Sequence, residues 1–247
     1  MASHGQFFIG TSGFTYDHWR GIFYPQALQE RKWLEHYAQH FDTVEINSSF
    51  YHLPRPTTCE NWRKRVPEKF VFAMKASRFI THIKKLREID EPVGNFFEVI
   101  HPLGEKLGPV LFQLPPSLKK DLALLDDFLG KLPPGFRYAF EFRNKVWYDD
   151  DLFCLLDKRG AAFCIHDLPE RVSPVAATGS FVYVRFHGAQ KAYSSSYSDQ
   201  ELETWASRFR EYLEAGRDLY VYFNNDMMGH AVENAKTLKS LLGKQSS

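Results

Sequence analysis

The chain has 247 residues, 44% hydrophobic and 25% charged, with a formal net charge of +1. That is the composition of a folded globular protein, long enough for one barrel-sized domain or two small ones. Near-neutral charge argues against bulk attraction to nucleic acid or an anionic membrane, and no apolar run approaches the roughly 18 residues needed to span a bilayer.

The N-terminal Met1-Ala-Ser-His-Gly-Gln6 lacks the basic and apolar regions of a secretion signal. Cys59, Cys154 and Cys164 are odd in number, with no CxxC spacing. They fit reduced thiols in a cytoplasmic protein better than disulfides or a zinc site. In chain order, residues 7–10 are an apolar strand closed by Gly10-Thr-Ser-Gly13, and the connection that follows is rich in aromatics (Phe14, Tyr16, Trp19). Residues 28–40 show helical spacing. The β-branched segment Thr43-Val-Glu-Ile-Asn47 reads as a buried strand. A short helix is expected over 57–66 with Thr57 or Thr58 as N-cap, then a strand over 70–75 ending in Lys75.

A basic connection, residues 78–87, leads to a helix near 93–107 and a strand over 110–113, stopped by Pro115 and Pro116. Residues 122–132 have helical period, 138–143 form a strand, 149–159 a helix and 162–165 a strand running into His166-Asp167. A strand over 181–188, a Ser/Tyr-rich loop over 192–198 and a helix from 199 to about 215 follow. The strand 219–223 ends in Asn224-Asn-Asp226, and a helix over 231–242 closes the chain. About eight strand-then-helix units with no linker between them predict a single (β/α)8 barrel domain over residues 1–247. A doubly wound open sheet is the alternative, but no glycine-rich phosphate turn follows the first strand.

The strand ends carry the chemistry. They supply Ser12, Glu45 with Asn47, Lys75, Gln113, Glu141 with Arg143, His166 with Asp167, Arg185 with His187, and Asn224 through Asp226. Residues two apart on a strand share a face. Glu45 and Asn47, Glu141 and Arg143, and Arg185 and His187 therefore pair on one side, with Val44, Ile46, Phe140, Phe142, Val184 and Phe186 on the other. The helix-covered side of a barrel is apolar, so the polar pairs point inward at the end where barrels place their active sites. A plain internal salt-bridge network (Glu45 with Lys75, Glu141 with Arg143, Asp167 with Arg185) is the bland reading.

Lys75, Arg143 and Arg185 suit a phosphate or carboxylate, with Glu45, Glu141 or Asp167 as base and His187 or His166 as acid. A Schiff base at Lys75 is a further possibility if its neighbours depress its pKa. Glu141, His166, Asp167 and His187 are a candidate divalent-metal set, although no HExxH spacing supports it; no other cofactor is required by the sequence. Tyr16 and Tyr51 are candidates to stack on a substrate ring. The run 78–87 is a solvated face or an electrostatic guide, and His82 within it is expected to be exposed. Tyr193 and Tyr197 belong to a candidate lid.

Three stretches resemble a known family. Gly10-Thr-Ser-Gly-Phe-Thr-Tyr-Asp-His-Trp-Arg-Gly-Ile-Phe-Tyr-Pro25, Phe41-Asp-Thr-Val-Glu-Ile-Asn-Ser-Ser-Phe-Tyr51, and Phe72-Ala-Met-Lys75 with Ile80-Thr-His82 are similar to the signature of the YecE-like proteins. Leu111-Phe-Gln-Leu-Pro-Pro116, Glu141-Phe-Arg143, Val184-Arg-Phe-His-Gly188 and Tyr222-Phe-Asn-Asn225 match too. Ser49 stands where that family commonly has threonine. The resemblance covers nearly the whole chain; it implies a TIM-like barrel and no established activity. The expected function is an enzyme, a hydrolase or isomerase, acting by acid/base chemistry on a small or polymeric anionic substrate, phosphorylated or nucleotide- or nucleic-acid-like. The proposed catalytic residues are Glu45, Glu141, His187 and Asp167. Ser12, Tyr16, Asn47, Tyr51, Lys75, Gln113, Arg143, Arg185 and Asn224 would bind the substrate. A metabolite-binding protein without turnover and a metal-dependent phosphoesterase or endonuclease-like hydrolase are the alternatives.

Overall fold

A computed structural model describes residues 4–243. Eight strands, β1 (Phe7–Thr11), β2 (Thr43–Ile46), β3 (Val71–Lys75), β4 (Leu107–Leu114), β5 (Tyr138–Phe142), β6 (Ala162–Asp167), β7 (Phe181–Phe186) and β8 (Asp218–Phe223), run parallel. Their order, β1-β8-β7-β6-β5-β4-β3-β2, makes β1 and β2 the two ends of a nearly closed TIM-like barrel. The helices α1 (Trp33–Tyr37), α2 (Ser48–Tyr51), α3 (Pro56–Lys64), α4 (Asp90–Ile100), α5 (Leu122–Lys131), α6 (Asp150–Lys158), α7 (Asp199–Glu214) and α8 (His230–Gly243) complete the chain. Among the described residues, no helix is long and apolar enough to cross a membrane.

The two ends of the sheet meet with little backbone pairing. Near the top they share a bridge between Ser12 and Glu45, with Gly13 N donating to Glu45 O at 2.7 Å. Below it a side chain takes over. The Tyr37 hydroxyl accepts from Thr11 N at 2.9 Å and donates to Thr43 O at 3.0 Å, satisfying backbone groups that would otherwise be buried without partners. Gly10 permits this approach, since a Cβ there would stand 2.3 Å from Thr43 O and 2.9 Å from the Tyr37 hydroxyl oxygen.

Alternation sorts the side chains as the strand pattern predicts. Val44, Ile46, Phe140, Phe142, Val184 and Phe186 pack with the helices in the main core. The barrel interior is a second core that includes Ala73, Leu111, Ala139, Cys164, Phe181, Tyr183, Tyr220 and Tyr222. The interior is therefore filled, and the polar strand ends lie on top of a packed plug.

Several local expectations are corrected. Helix α3 begins with Pro56 at its first position and has no side-chain cap from Thr57 or Thr58; the fixed φ of proline starts the helix instead. The helical stretch expected over 28–40 is a 3₁₀ turn, Glu30–Lys32, followed by the five-residue α1. The one expected over 93–107 stops at Ile100, and a turn through Pro102 and Gly104 leads into β4. No helix lies between β6 and β7. Pro169, Pro174 and Gly179 interrupt residues 168–180, which instead run along β6. There Ser173 Oγ accepts from His166 N and Thr178 Oγ1 from Phe163 N, both at 2.8 Å.

Candidate active site at the barrel mouth

Beneath the mouth lies a closed ion network built on β2, β5 and β7. Glu45 and Arg185 are 0% and 1% exposed. Arg185 donates to Glu45 Oε1 from Nη2 at 2.9 Å and from Nε at 3.2 Å, and to Glu141 Oε2 from Nη1 at 2.6 Å. The remaining capacity of Glu45 is taken by Ser12 Oγ at 2.6 Å and the Tyr183 hydroxyl at 2.7 Å. Arg143 pairs with the other oxygen of Glu141. Burial alone would raise the Glu141 carboxyl, but Arg143 and Arg185 outweigh it and hold it well below the usual carboxylate range. Buried charges persist when they are paired and hydrogen-bonded in this way.

Above that floor opens a cavity of about 440 Å³ whose wall includes Asn47, Phe50, Lys75, His82, Gln113, Arg143, His187 and Asn224, with Tyr51 and Tyr193 among its lining. Arg185 reaches it from below, donating to Asn47 Oδ1 at 3.4 Å. The Arg143 guanidinium lies 3.1 Å from His187 Nε2, and the Asn224 carboxamide 3.1 Å from Nδ1. Arginine can only donate. Nε2 therefore accepts and the ring proton sits on Nδ1; the Asn224 Nδ2 atom stands at that position, so the carboxamide has to be turned end for end for its oxygen to accept from Nδ1. Burial first, and then Arg185 and Arg143, hold His187 neutral by pushing its pKa well down.

Lys75 is the exception among the charged groups. Its Nζ sits 4.2 Å from the centre of the Phe50 ring, and among the described residues no carboxylate lies within ion-pairing distance of it. Two carboxylates, Glu45 and Glu141, face three basic side chains, Arg143, Arg185 and Lys75, so the arginines balance the acids and the amine is surplus. Burial, reinforced by Arg185 and only partly offset by Glu141 and Glu45, lowers its pKa to about 7. Beside it, His82 is lowered to about 4 by burial and then by Lys75, Arg78 and Arg143. A π-helical turn, Phe79–Ile83, swings His82 into the cavity. Its Nδ1 lies 2.9 Å from Thr81 Oγ1.

The family model described as "Protein of unknown function DUF72" matches residues 8–247. This chain belongs to the DUF72 family. The UPF0759 protein YunF of Bacillus subtilis (strain 168) is 30% identical over 274 residues, covering 95% of this chain and 94% of that protein. The UPF0759 protein YecE of Escherichia coli (strain K12) is 35% identical over 116 residues, 47% of this chain and 43% of that protein. A DUF72 protein from Thermotoga maritima superimposes with a TM-score of 0.88 at 29% identity, covering 97% of this chain and 100% of that one.

Of the residues nominated from the sequence of this DUF72 chain, Asn47, Tyr51, Lys75, Gln113, Arg143, Arg185, His187 and Asn224 converge on the cavity. Glu45, Glu141 and Ser12 lie below it, in the floor. Tyr16 does not reach it. Its hydroxyl donates to Ser12 O at 2.5 Å, and its ring lines a separate hollow of about 210 Å³ with Trp62. Asp167 is on the wrong face. Cys164 faces the barrel interior, so by alternation His166 does too, and Asp167 turns toward the helices. The salt bridges expected between Glu45 and Lys75 and between Asp167 and Arg185 are absent among the described residues; Arg185 takes Glu45 instead. His166 is buried below the cavity with its pKa lowered to about 4, burial being the main cause. Tyr197 is buried and anchors Gly188 N at 3.1 Å, leaving Tyr193 as the loop residue at the mouth. Phe50 and His82 were not foreseen, although both fall inside the family-like stretches. No three His, Cys, Asp or Glu side chains are grouped to hold a metal ion among the described residues.

Proposed function

We propose that this chain is an enzyme that binds a small anionic substrate, phosphorylated or nucleotide-like, in the barrel mouth and transforms it by proton transfer. The observation behind this reading is the surplus cation: Lys75 stands on the cavity wall beside Arg143 with both nearby carboxylates already committed to arginines. An anion brought into the cavity would complete the charge balance, with Arg143 and Lys75 as its contacts and Asn47, Gln113 and Asn224 as neutral hydrogen-bonding groups.

The geometry supports a division of labour that differs from the one expected from sequence. Both Glu45 oxygens are hydrogen-bonded, and Glu141 is bonded to Arg185 through one oxygen and ion-paired with Arg143 through the other, so we assign both acids to fixing Arg185 and Arg143 rather than to exchanging protons. His187 is neutral and spends its Nε2 lone pair on Arg143, which makes it a positioning residue. Lys75, with free amine present near neutral pH, and His82, held neutral by burial and its cationic neighbours, are the basic wall groups left to exchange protons with a substrate.

Calorimetric titration with inorganic phosphate and with a nucleoside monophosphate tests the binding. At least one should bind, and Arg143→Gln should weaken it by roughly tenfold or more, the loss expected for a charge-assisted contact. Equal affinity in the wild type and the variant overturns the assignment. Arg185 is unsuitable for this test because its removal breaks the floor. Binding without turnover of any phosphorylated compound would leave the non-catalytic reading in its place.

A further inference from the structure

We propose that Lys75 is a covalent nucleophile, and that the cavity forms a Schiff base between its amine and the carbonyl carbon of a small compound that also carries a carboxylate or phosphate. The inference rests on the anion-binding reading above for the second half of that substrate and on independent geometry for the first.

That geometry has three parts. The amine is on the cavity wall, so a substrate can reach it. The residue is 8% exposed, so an ammonium there keeps only the water that enters through the cavity mouth. Its nearest ring is Phe50, at 4.2 Å, while the carboxylates that would hold it protonated are bound by Arg185 and Arg143. A lysine in a structural role would sit in a carboxylate pair. Here that pairing has been given to two arginines, which cannot act as nucleophiles at all. The depressed pKa of about 7 is consistent with this arrangement, because it leaves a substantial fraction of free amine near neutrality.

The step balances without any further reactant. The Lys75 nitrogen lone pair adds to the carbonyl carbon, and the π electrons move to oxygen. One amine proton is transferred to that oxygen to give a carbinolamine. Loss of the hydroxyl together with the second nitrogen proton releases one water and leaves the C=N bond. In this proposal neutral His82, which lines the same cavity and feels the Lys75 charge, relays the proton between nitrogen and oxygen. Arg143 would hold the anionic end, which orients the carbonyl toward the amine. A cavity of about 440 Å³ is of a size for a small metabolite.

Reductive trapping tests it. The full chain is incubated with sodium cyanoborohydride and pyruvate, or with glyceraldehyde 3-phosphate in a parallel arm, then digested and mapped by mass spectrometry. Lys75 should carry the added mass in at least one arm, roughly tenfold or more above any other lysine at about pH 7.5, because ordinary lysines are almost fully protonated there. Each arm, and a third with acetaldehyde, is normalised to labelling of a free lysine derivative by the same compound, because aldehydes condense more readily than ketones. The larger normalised preference for Lys75 then tells a carboxylate from a phosphate. The labelling rate should rise with pH and level off above about 7, whereas surface lysines keep gaining to above pH 10. Lys75→Arg should remove the label with the folded state retained by circular dichroism. In the wild type, label spread over surface lysines without preference for Lys75 overturns the nucleophile, whatever the variant does. Phosphate binding with no trapping at Lys75 would sink this inference and leave the anion site standing. Trapping of acetaldehyde at Lys75 as efficiently as of the anionic compounds would sustain the nucleophile and sink the anion site.

Discussion

Lys75 unites the two proposals through opposite pH responses. Anion binding uses the ammonium, so the affinity for sulfate, whose charge is constant over this range, should fall as pH rises through about 7; an affinity flat between about pH 6 and pH 8 would remove Lys75 from the anion site. Imine formation uses the free amine and should rise over the same window. The residue also carries a stability cost whose sign is fixed. Its folded pKa is below the unfolded value, so the unfolded chain holds the proton more tightly. The penalty is full below about pH 7 and is relieved as pH climbs toward the ordinary lysine value. Lys75→Met should therefore stabilise the empty protein by about 1–3 kcal/mol at pH 6, with the gain shrinking toward pH 10, as read by denaturant melts. A variant less stable than wild type at pH 6 would mean that the amine has a partner in solution. Sequence alone placed Lys75 at a strand end but paired it with Glu45. Which of two cations captures a given carboxylate depends on reach across the barrel, and the longer, forked Arg185 takes both acids.

The strands show why some of the site could be read and some could not. Period-two alternation is short-range and robust, so the inward pairs 45/47, 141/143 and 185/187 followed directly from residue spacing. The same rule, applied one strand further, would have removed Asp167, which is one residue out of phase with His166. His82 was hidden for a different reason. A run rich in Lys and Arg reads as solvated surface, and the extra residue per turn of a π-helix, the device that rotates His82 inward, leaves no mark in composition. The missing helix after β6 was legible in Pro169 and Pro174 but was overridden by the rhythm of the other units. The join of β1 to β2 depended on a tyrosine no pattern would flag. Tyr37→Phe should cost about 1–3 kcal/mol, because Thr11 N and Thr43 O would lose their shared partner inside the protein. A change below about 0.5 kcal/mol in chemical denaturation would show that the two backbones close the gap without it.

Across the whole barrel, the ion network does for the top what the aromatic plug does for the interior: it joins strands that are not neighbours. Glu45 on β2, Glu141 on β5 and Arg185 on β7 meet at one guanidinium, so the cavity floor is held from three sides of the ring. Arg185→Met replaces that guanidinium with an apolar side chain. Glu141 keeps Arg143, but Glu45 is left with only the hydroxyls of Ser12 and Tyr183. Removing one partner of a buried pair costs about 3–5 kcal/mol, mostly the penalty of the stranded charge. The pH dependence separates this from a simple loss of packing. In the wild type Glu141 is depressed, so its contribution is present above the ordinary carboxylate pKa and is lost only as pH falls through its lower folded value. The variant removes one of the two arginines that depress Glu141, so part of that contribution is missing near neutral pH, and the difference fades as the medium is acidified into the carboxylate range. The stability gap between wild type and Arg185→Met should therefore narrow from pH 7 toward about pH 4. A gap that stays constant over that range would assign the loss to packing and deny the floor its electrostatic role.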